Sequence, residues 1–437
     1  MSIKKHITFF LIIIFSLSLF ACKNQEANED SSPKRNLVTI KYNDNYDSGT
    51  AEVYWDSYLF EDDPSVFNLD LARTAAAISA ASNDRSIGTA EFLADALHDS
   101  LGLEDICLYS YPNYKGSKAL NMSTKDSDLS TAFAIGHQKM TSPDGKEFEI
   151  IVVVCRGTEG YQDSIFYDGL GSLLISSYSY DGFKSFYGYV DYATQIQNAL
   201  VNYVNNYSGS FAADVKFLFT GHSLGGTPVQ LLVADLQKYD KCAYGYTFGS
   251  LNATSEPYPD YYVWNIFNYY DDFGPNGSQL FKPSGGWYTY ENKVGKILLF
   301  ACDFDYVFTC DDGYYSHVMA GYYDALTAGF LDEKGNPTMF DSKGCFNLEG
   351  TWVMDSNASG GTLSTEITFN SDGSFKSGDQ SGKYAVSSVE DYWFDLELSD
   401  NDSKKTPFRA TIHTPDVIRL FYEESDQQVI LTLKRKR

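Results

Sequence analysis

The feature that most constrains this chain is the pentapeptide Gly221-His222-Ser223-Leu224-Gly225. It directly follows the apolar run Val215-Lys216-Phe217-Leu218-Phe219-Thr220. After it, Val229, Leu232, Val233 and Leu236 recur at helical spacing. A chain that reverses from strand to helix in so few residues leaves no room for side chains at the flanking positions, and glycine stands there. The serine is forced into a strained conformation and held out at the end of a sheet, beside the N-terminus of the next helix. The bland reading is a Gly-rich turn that only joins strand to helix. The patterns on either side favour a nucleophile elbow.

Up to about residue 343, helix-like and strand-like segments alternate. An alanine-rich helix is expected over Leu69 to Ala81 and a second over Thr89 to Leu101. A strand from Ala132 to Gln138 turns through Ser142-Pro143-Asp144-Gly145 into Phe148–Cys155. A long amphipathic helix, Tyr189 to Asn205, leads to the strand before Ser223, and strands at Tyr244 to Phe248 and Tyr262 to Asn268 follow. Ile150 to Val154 is apolar without interruption, as a central strand covered on both faces should be. The alternation predicts a mainly parallel sheet with helices on both faces. Near Lys343-Gly344 the texture changes. Short runs such as Thr365 to Phe369, Tyr392 to Leu398, Phe408 to Ile412 and Val417 to Tyr422 are separated by turn signals like Asn370-Ser371-Asp372-Gly373. They predict a small antiparallel all-β barrel or sandwich. Its opening, Leu348-Glu349-Gly350-Thr351-Trp352, resembles the first strand of bacterial lipocalin-like domains.

The N-terminal end reads as a targeting segment. Lys4 and Lys5 precede an apolar run from Ile7 to Phe20, too short to span a bilayer comfortably. Leu19-Phe20-Ala21-Cys22 resembles a bacterial lipobox, which implies cleavage before Cys22 and acylation of that cysteine. The simpler alternative is a secretory signal with an incidental cysteine. The expected organisation is a lipoprotein signal peptide (1–21), a flexible tether (22–45), an α/β domain (46–343) and a β domain (344–437). The expected location is a bacterial cell envelope, periplasmic or surface-exposed and lipid-anchored. The formal charge is -25, and residues 1–21 hold two lysines and no acid, so the remainder carries -27. Such a surface repels nucleic acid and anionic headgroups, so membrane attachment has to come from the lipid. Six cysteines remain after Cys22. Cys302 and Cys310 are close enough to close a small loop, while Cys155 lies in an apolar strand and reads as a buried thiol. There is no C-x-x-C pair and no His/Cys/carboxylate cluster, so no metal or other cofactor is expected.

A serine hydroxyl needs a base within hydrogen-bond reach, and the base needs an orienting acid. After a nucleophile elbow the chain order is Ser, then Asp or Glu, then His. Of the six histidines, His6 is in the signal, His98 and His137 precede the serine, and His413 lies in the β domain. His222, next to Ser223, cannot curl round to the hydroxyl and packs beside the elbow. His317 remains as the base. The strand Tyr262 to Asn268 ends in Tyr269-Tyr270-Asp271-Asp272, where either aspartate fits the acid. Asp303, Asp305, Asp311 and Asp312 are the fallback. The oxyanion needs donors aimed at it in advance. One is the backbone N–H of Leu224 at the start of the elbow helix. The other is expected in Arg156-Gly157-Thr158-Glu159-Gly160, where Thr158 offers an N–H and a hydroxyl.

A wider set of ordered blocks resembles the class 3 (fungal-type) lipases of the α/β-hydrolase superfamily. They are Val152-Val153-Val154-Cys155-Arg156-Gly157-Thr158, Tyr167-Asp168, Gly188-Tyr189, Thr220-Gly221-His222-Ser223-Leu224-Gly225-Gly226, Tyr246-Thr247-Phe248-Gly249-Ser250, Asn268-Tyr269-Tyr270-Asp271 and Tyr315-Ser316-His317. The resemblance implies Ser223 as nucleophile, His317 as base, and Thr158 with Leu224 at the oxyanion hole. The family's asparagine-x-x-aspartate spacing favours Asp271 as the acid. It places a lid at Gly169 to Tyr180, which reads equally well as a packed surface loop. Cys155 stands where the family has phenylalanine, and Leu251 where it has proline. The tryptophan usual before Asp168 is missing, and the stretch between Asp271 and His317 is long.

These features imply a membrane-tethered serine hydrolase acting on carboxylic esters of lipids. A phospholipase or a feruloyl-type esterase on the same fold is the second reading, the Tyr-rich composition mildly favouring the latter. A non-catalytic lipoprotein that binds lipid or glycan, with a vestigial elbow, is the third. The β domain carries no constellation that suggests chemistry and reads as a spacer or stabilising module.

Overall fold

A computed structural model describes residues 35–44, 47–83, 90–109, 123–125, 132–158, 178–180, 182–268, 271, 292–300, 317–338, 346–354, 365–387, 393–401, 403–424 and 427–436. The described chain opens with an antiparallel hairpin, β1 (Leu37–Asp44) and β2 (Asp47–Tyr54). Here the fold differs from the expected tether, because β1 falls inside residues 22–45. Ile40 and Tyr42 alternate inward and are buried, which gives the strand a face to pack. Next comes α1 (Leu69–Ser82), whose N-cap Asn68 accepts the Leu71 N–H at 2.9 Å. A short α2 (Glu91–Asp95) runs on into a π-helical turn at Ala96–Ser100, where a single helix from Thr89 is expected.

The strands β3 (Glu104–Tyr109), β4 (Ser123–Lys125), β5 (Phe133–Thr141) and β6 (Glu147–Cys155) come next. They are followed by a small hairpin, β7 (Tyr178–Tyr180) and β8 (Phe183–Ser185), and by α3 (Tyr187–Tyr207). Then come β9 (Asp214–His222), α4 (Gly226–Lys238), β10 (Ala243–Phe248), β11 (Val263–Asn268), β12 (Lys296–Phe300) and α5 (Met319–Ala328). The main sheet has the order β12-β11-β10-β9-β6-β5-β3-β4. From β6 to β12 every neighbour is parallel, while β5 pairs antiparallel with both β6 and β3.

Strand β6 shows how a continuous apolar run serves two faces. Ile150, Val152 and Val154 pack in the cluster that holds α1 and α5. Ile151, Val153 and Cys155 pack in the cluster that holds α3 and α4. Alternate side chains point to opposite faces, so a strand sandwiched between helices must be apolar at every position. Helices therefore cover both faces, as the alternating pattern requires.

The C-terminal part is a closed barrel of eight antiparallel strands in chain order, β13 (Gly350–Met354) to β20 (Gln427–Arg435). β13 pairs with β20 to shut it. Eight strands leave an interior that side chains fill. Trp352, Phe394, Leu396, Phe408, Ile418 and Leu420 are buried there. The expected domain boundary at Lys343-Gly344 lies outside the described residues. Among the described residues no helix is long and apolar enough to cross a membrane.

Candidate active site

The parallel strands β6, β9, β10 and β11 bring their C-terminal ends to one edge, where the loops that follow them meet. β9 runs to His222 and stops abruptly. Ser223 adopts φ +51°, then opens a 3₁₀ turn, Ser223–Gly225, that feeds α4. Such a left-handed conformation for a non-glycine residue costs about 1–3 kcal/mol and persists only where its surroundings over-determine it. A Cβ on Gly225 would strike the Cys155 carbonyl oxygen and come within 2.6 Å of that of Arg156. The elbow is thus packed directly on the end of β6. The turn is closed by Thr227, whose Oγ1 donates to the Leu224 carbonyl at 2.8 Å.

Ser223 Oγ lies 2.9 Å from His317 Nε2. On the other side of the ring, Nδ1 lies 2.8 and 2.9 Å from the two carboxylate oxygens of Asp271. An ionised carboxylate only accepts, so Nδ1 carries the proton and Nε2 is left to receive one from the serine. Asp271 comes three residues after β11, its N–H donating to the Asn268 carbonyl at 3.1 Å, and it is fully buried. Asp272 lies outside the described residues, as do Asp303, Asp305, Asp311 and Asp312. Thr158 follows β6, half-buried, and Leu224 follows β9, buried. Cys155 and Gly221 are register partners on these adjacent strands, so both candidate oxyanion donors sit just beyond one pair of strand ends.

Two residues that shape this site, Tyr322 and Lys293, carry no signal in the sequence, and Gly249 enters there only within the block Tyr246-Thr247-Phe248-Gly249-Ser250. Tyr322, on α5, donates its hydroxyl to Asp271 Oδ2 in a short bond and accepts the Asn268 N–H at 3.2 Å. Burial, then the Asp271 charge, hold its phenol well above the usual value, so it stays a donor. Gly249, at φ +51°, follows β10. A Cβ there would lie 2.5 Å from Asp271 Oδ2 and 3.1 Å from His317 Nδ1, so a side chain would push acid and base apart. Lys293 is buried, donates to the Ser250 carbonyl, and sits 4.7 Å over the Phe267 ring. Burial drives its ammonium well below the ordinary lysine value, against the pull of Asp271. The ring of His222 packs beside the elbow, its centroid 4.7 Å from that of His317.

Cys155 is a buried free thiol, pushed up by burial. Among the described residues no group of three or more His, Cys, Asp or Glu is placed to hold a metal ion. Cys22, Cys302 and Cys310 lie outside the described residues. So does the candidate lid, except for Tyr178–Tyr180, which forms β7.

Residues 152–267 match the model of the family described as Lipase (class 3). None of the curated proteins compared matches the chain. Among solved structures, a triacylglycerol lipase from Penicillium expansum is similar at 17% identity and a TM-score of 0.28, over 40% of this chain and 66% of that one. A lipase from Rhizopus microsporus var. chinensis is similar at 17% identity and a TM-score of 0.31, over 52% of this chain and 79% of that one. The Lip2 lipase from Yarrowia lipolytica gives 16% identity and a TM-score of 0.24, over 39% and 66%. The chain thus spans just under two thirds of the Penicillium and Yarrowia lipases.

Proposed function

We propose that the chain is a serine hydrolase that cleaves carboxylic esters of lipids, with triacylglycerol lipase- or esterase-like activity. What supports this reading is the unbroken hydrogen-bonded series from Ser223 through His317 to Asp271. Ser223 Oγ attacks the ester carbonyl while His317 Nε2 takes its proton. The N–H groups of Leu224 and Thr158 receive the developing oxyanion, aided at Leu224 by the start of the elbow helix. His317 then gives its proton to the departing alcohol, leaving an acyl group on Ser223. Water, deprotonated by the same nitrogen, releases the acid. Asp271 keeps Nδ1 protonated and stabilises the imidazolium, and Tyr322 holds Asp271.

In this reading Cys22 carries the lipid that anchors the chain in a bacterial envelope, beside its substrate, and the barrel acts as a spacer or stabilising module. Ser223→Ala should keep the circular dichroism and thermal midpoint within a few degrees while lowering kcat for p-nitrophenyl esters about 10⁶-fold. Full activity in a folded Ser223→Ala protein would sink the assignment.

A further inference from the structure

We propose that Asn83 and His222 act as a positioning pair, tying the loop after β6 to the backbone of His317 so that the two halves of the site are held as one body. The proposal rests on the hydrolase reading above. Asn83 is the C-cap residue of α1 and is buried, as is His222. The Gly157 N–H lies 3.2 Å from Asn83 Oδ1. A backbone N–H can only donate, so the oxygen of the carboxamide must face Gly157. The amide nitrogen then faces His222 Nδ1, at 3.0 Å. That nitrogen can only donate, so Nδ1 is bare and the His222 proton sits on Nε2. Nε2 faces the His317 carbonyl oxygen at 2.6 Å, an acceptor and nothing else. Donors and acceptors alternate without conflict along Gly157, Asn83, His222 and His317.

Every contact of this series falls on or next to a group with a proposed role. Gly157 precedes Thr158, His222 precedes Ser223, and the last bond ends on the backbone of the base itself. Neither Asn83 nor His222 meets the substrate in this scheme. What they set is the distance between the oxyanion side, carried by the loop after β6, and the base side, carried by His317. A misplacement of about 1 Å between such groups costs about 10²-fold in rate. His222 is thereby given a role other than packing. Its proton points at the backbone of the base, away from the serine.

The test separates bonding from packing. His222→Phe keeps the ring volume and loses both bonds, whereas His222→Gln can accept from Asn83 and donate to the His317 carbonyl. We expect His222→Phe and Asn83→Leu each to lower kcat for a p-nitrophenyl ester by about 30- to 100-fold with KM within about threefold. The double variant should lose no more than the worse single one, since each breaks the same series. His222→Gln should stay within about fivefold of the parent. A phenylalanine variant at least as active as the glutamine one, or losses that simply add, would overturn the proposal. A second measurement needs no turnover. In ¹⁵N spectra of the intact chain, the His222 ring should show a protonated Nε2 and a bare Nδ1. The opposite tautomer overturns the pair even in a fully active enzyme. A parent protein that neither hydrolyses esters nor reacts with a fluorophosphonate overturns the hydrolase reading instead, with the tautomer unaffected.

Discussion

The two large regions of this molecule bury different kinds of interior. The barrel follows simple alternation. On its fifth strand Phe394, Leu396 and Leu398 point inward, and among its described residues only Ser377 and Thr411 are buried polar groups. The α/β region instead buries Ser223, His222, Asn268, Asp271, Gln230 and Lys293. Each such group costs free energy unless it finds a partner. Here the partners are side chains and backbone groups of the same region. Gln230 joins the elbow helix to the Leu251 carbonyl at 2.9 Å, and Tyr322 joins α5 to Asp271. A fold tolerates that concentration of buried polarity where geometry matters more than stability. The contrast itself distinguishes a site from a scaffold.

The sharpest way to break the contrast is at Asp271. Asp271→Asn keeps the shape but puts an amide against Nδ1, which favours the wrong ring tautomer and moves the proton to the serine side. A fall in kcat of about 10⁴-fold is expected, with the fold intact by circular dichroism. A loss below tenfold would mean another carboxylate orients His317. Next in size is Trp352→Ala in the barrel core, where the indole is fully buried and its Nε1 donates to the Leu348 carbonyl at 2.8 Å. Denaturant unfolding should show a loss of about 3–5 kcal/mol, with kcat/KM unchanged while the chain is folded. A parallel fall in kcat/KM would show that the barrel shapes the site. The smallest effect concerns Lys293. Its folded-state pKa is depressed, so between that value and about 10.4 the unfolded chain holds a proton that the folded chain has released. Stability contributed there rises with pH across this window. Lys293→Met should remove that rise, read as a difference in the pH slopes of unfolding free energy. Equal slopes would mean that the folded chain keeps the ammonium charged.

Much of this site was legible because its information is local or ordinal. Ser223 is marked by five adjacent residues and their flanks. His317 stands out because chain order, with His413 set apart in the β domain, leaves one histidine eligible. Asp271 could be separated from Asp272 only through the family spacing. Tyr322 was not legible, since one tyrosine among 34 carries no local mark. Its role exists only because α5 returns to the end of β11. Asn83 escaped for the same reason, as its partners lie far off in the chain, while Gly249 was legible only as part of a block, its approach to Asp271 and His317 being fixed by the fold. The β1–β2 hairpin is a different kind of miss. Val38, Ile40 and Tyr42 alternate as a strand should, but the polar residues upstream drew the whole stretch into the tether.

By itself, then, the order of residues determined the layering of the sheet and its helices, the antiparallel character of the C-terminal barrel, and the corner that presents Ser223. Those properties depend on periodicity and on which backbone angles glycine permits, both written over a few neighbouring positions. The tertiary structure alone decided which tyrosine braces the acid and which asparagine meets His222. These are contacts between segments tens to hundreds of residues apart, and hydrogen bonds depend on distances of a few tenths of an ångström that no one-dimensional pattern carries.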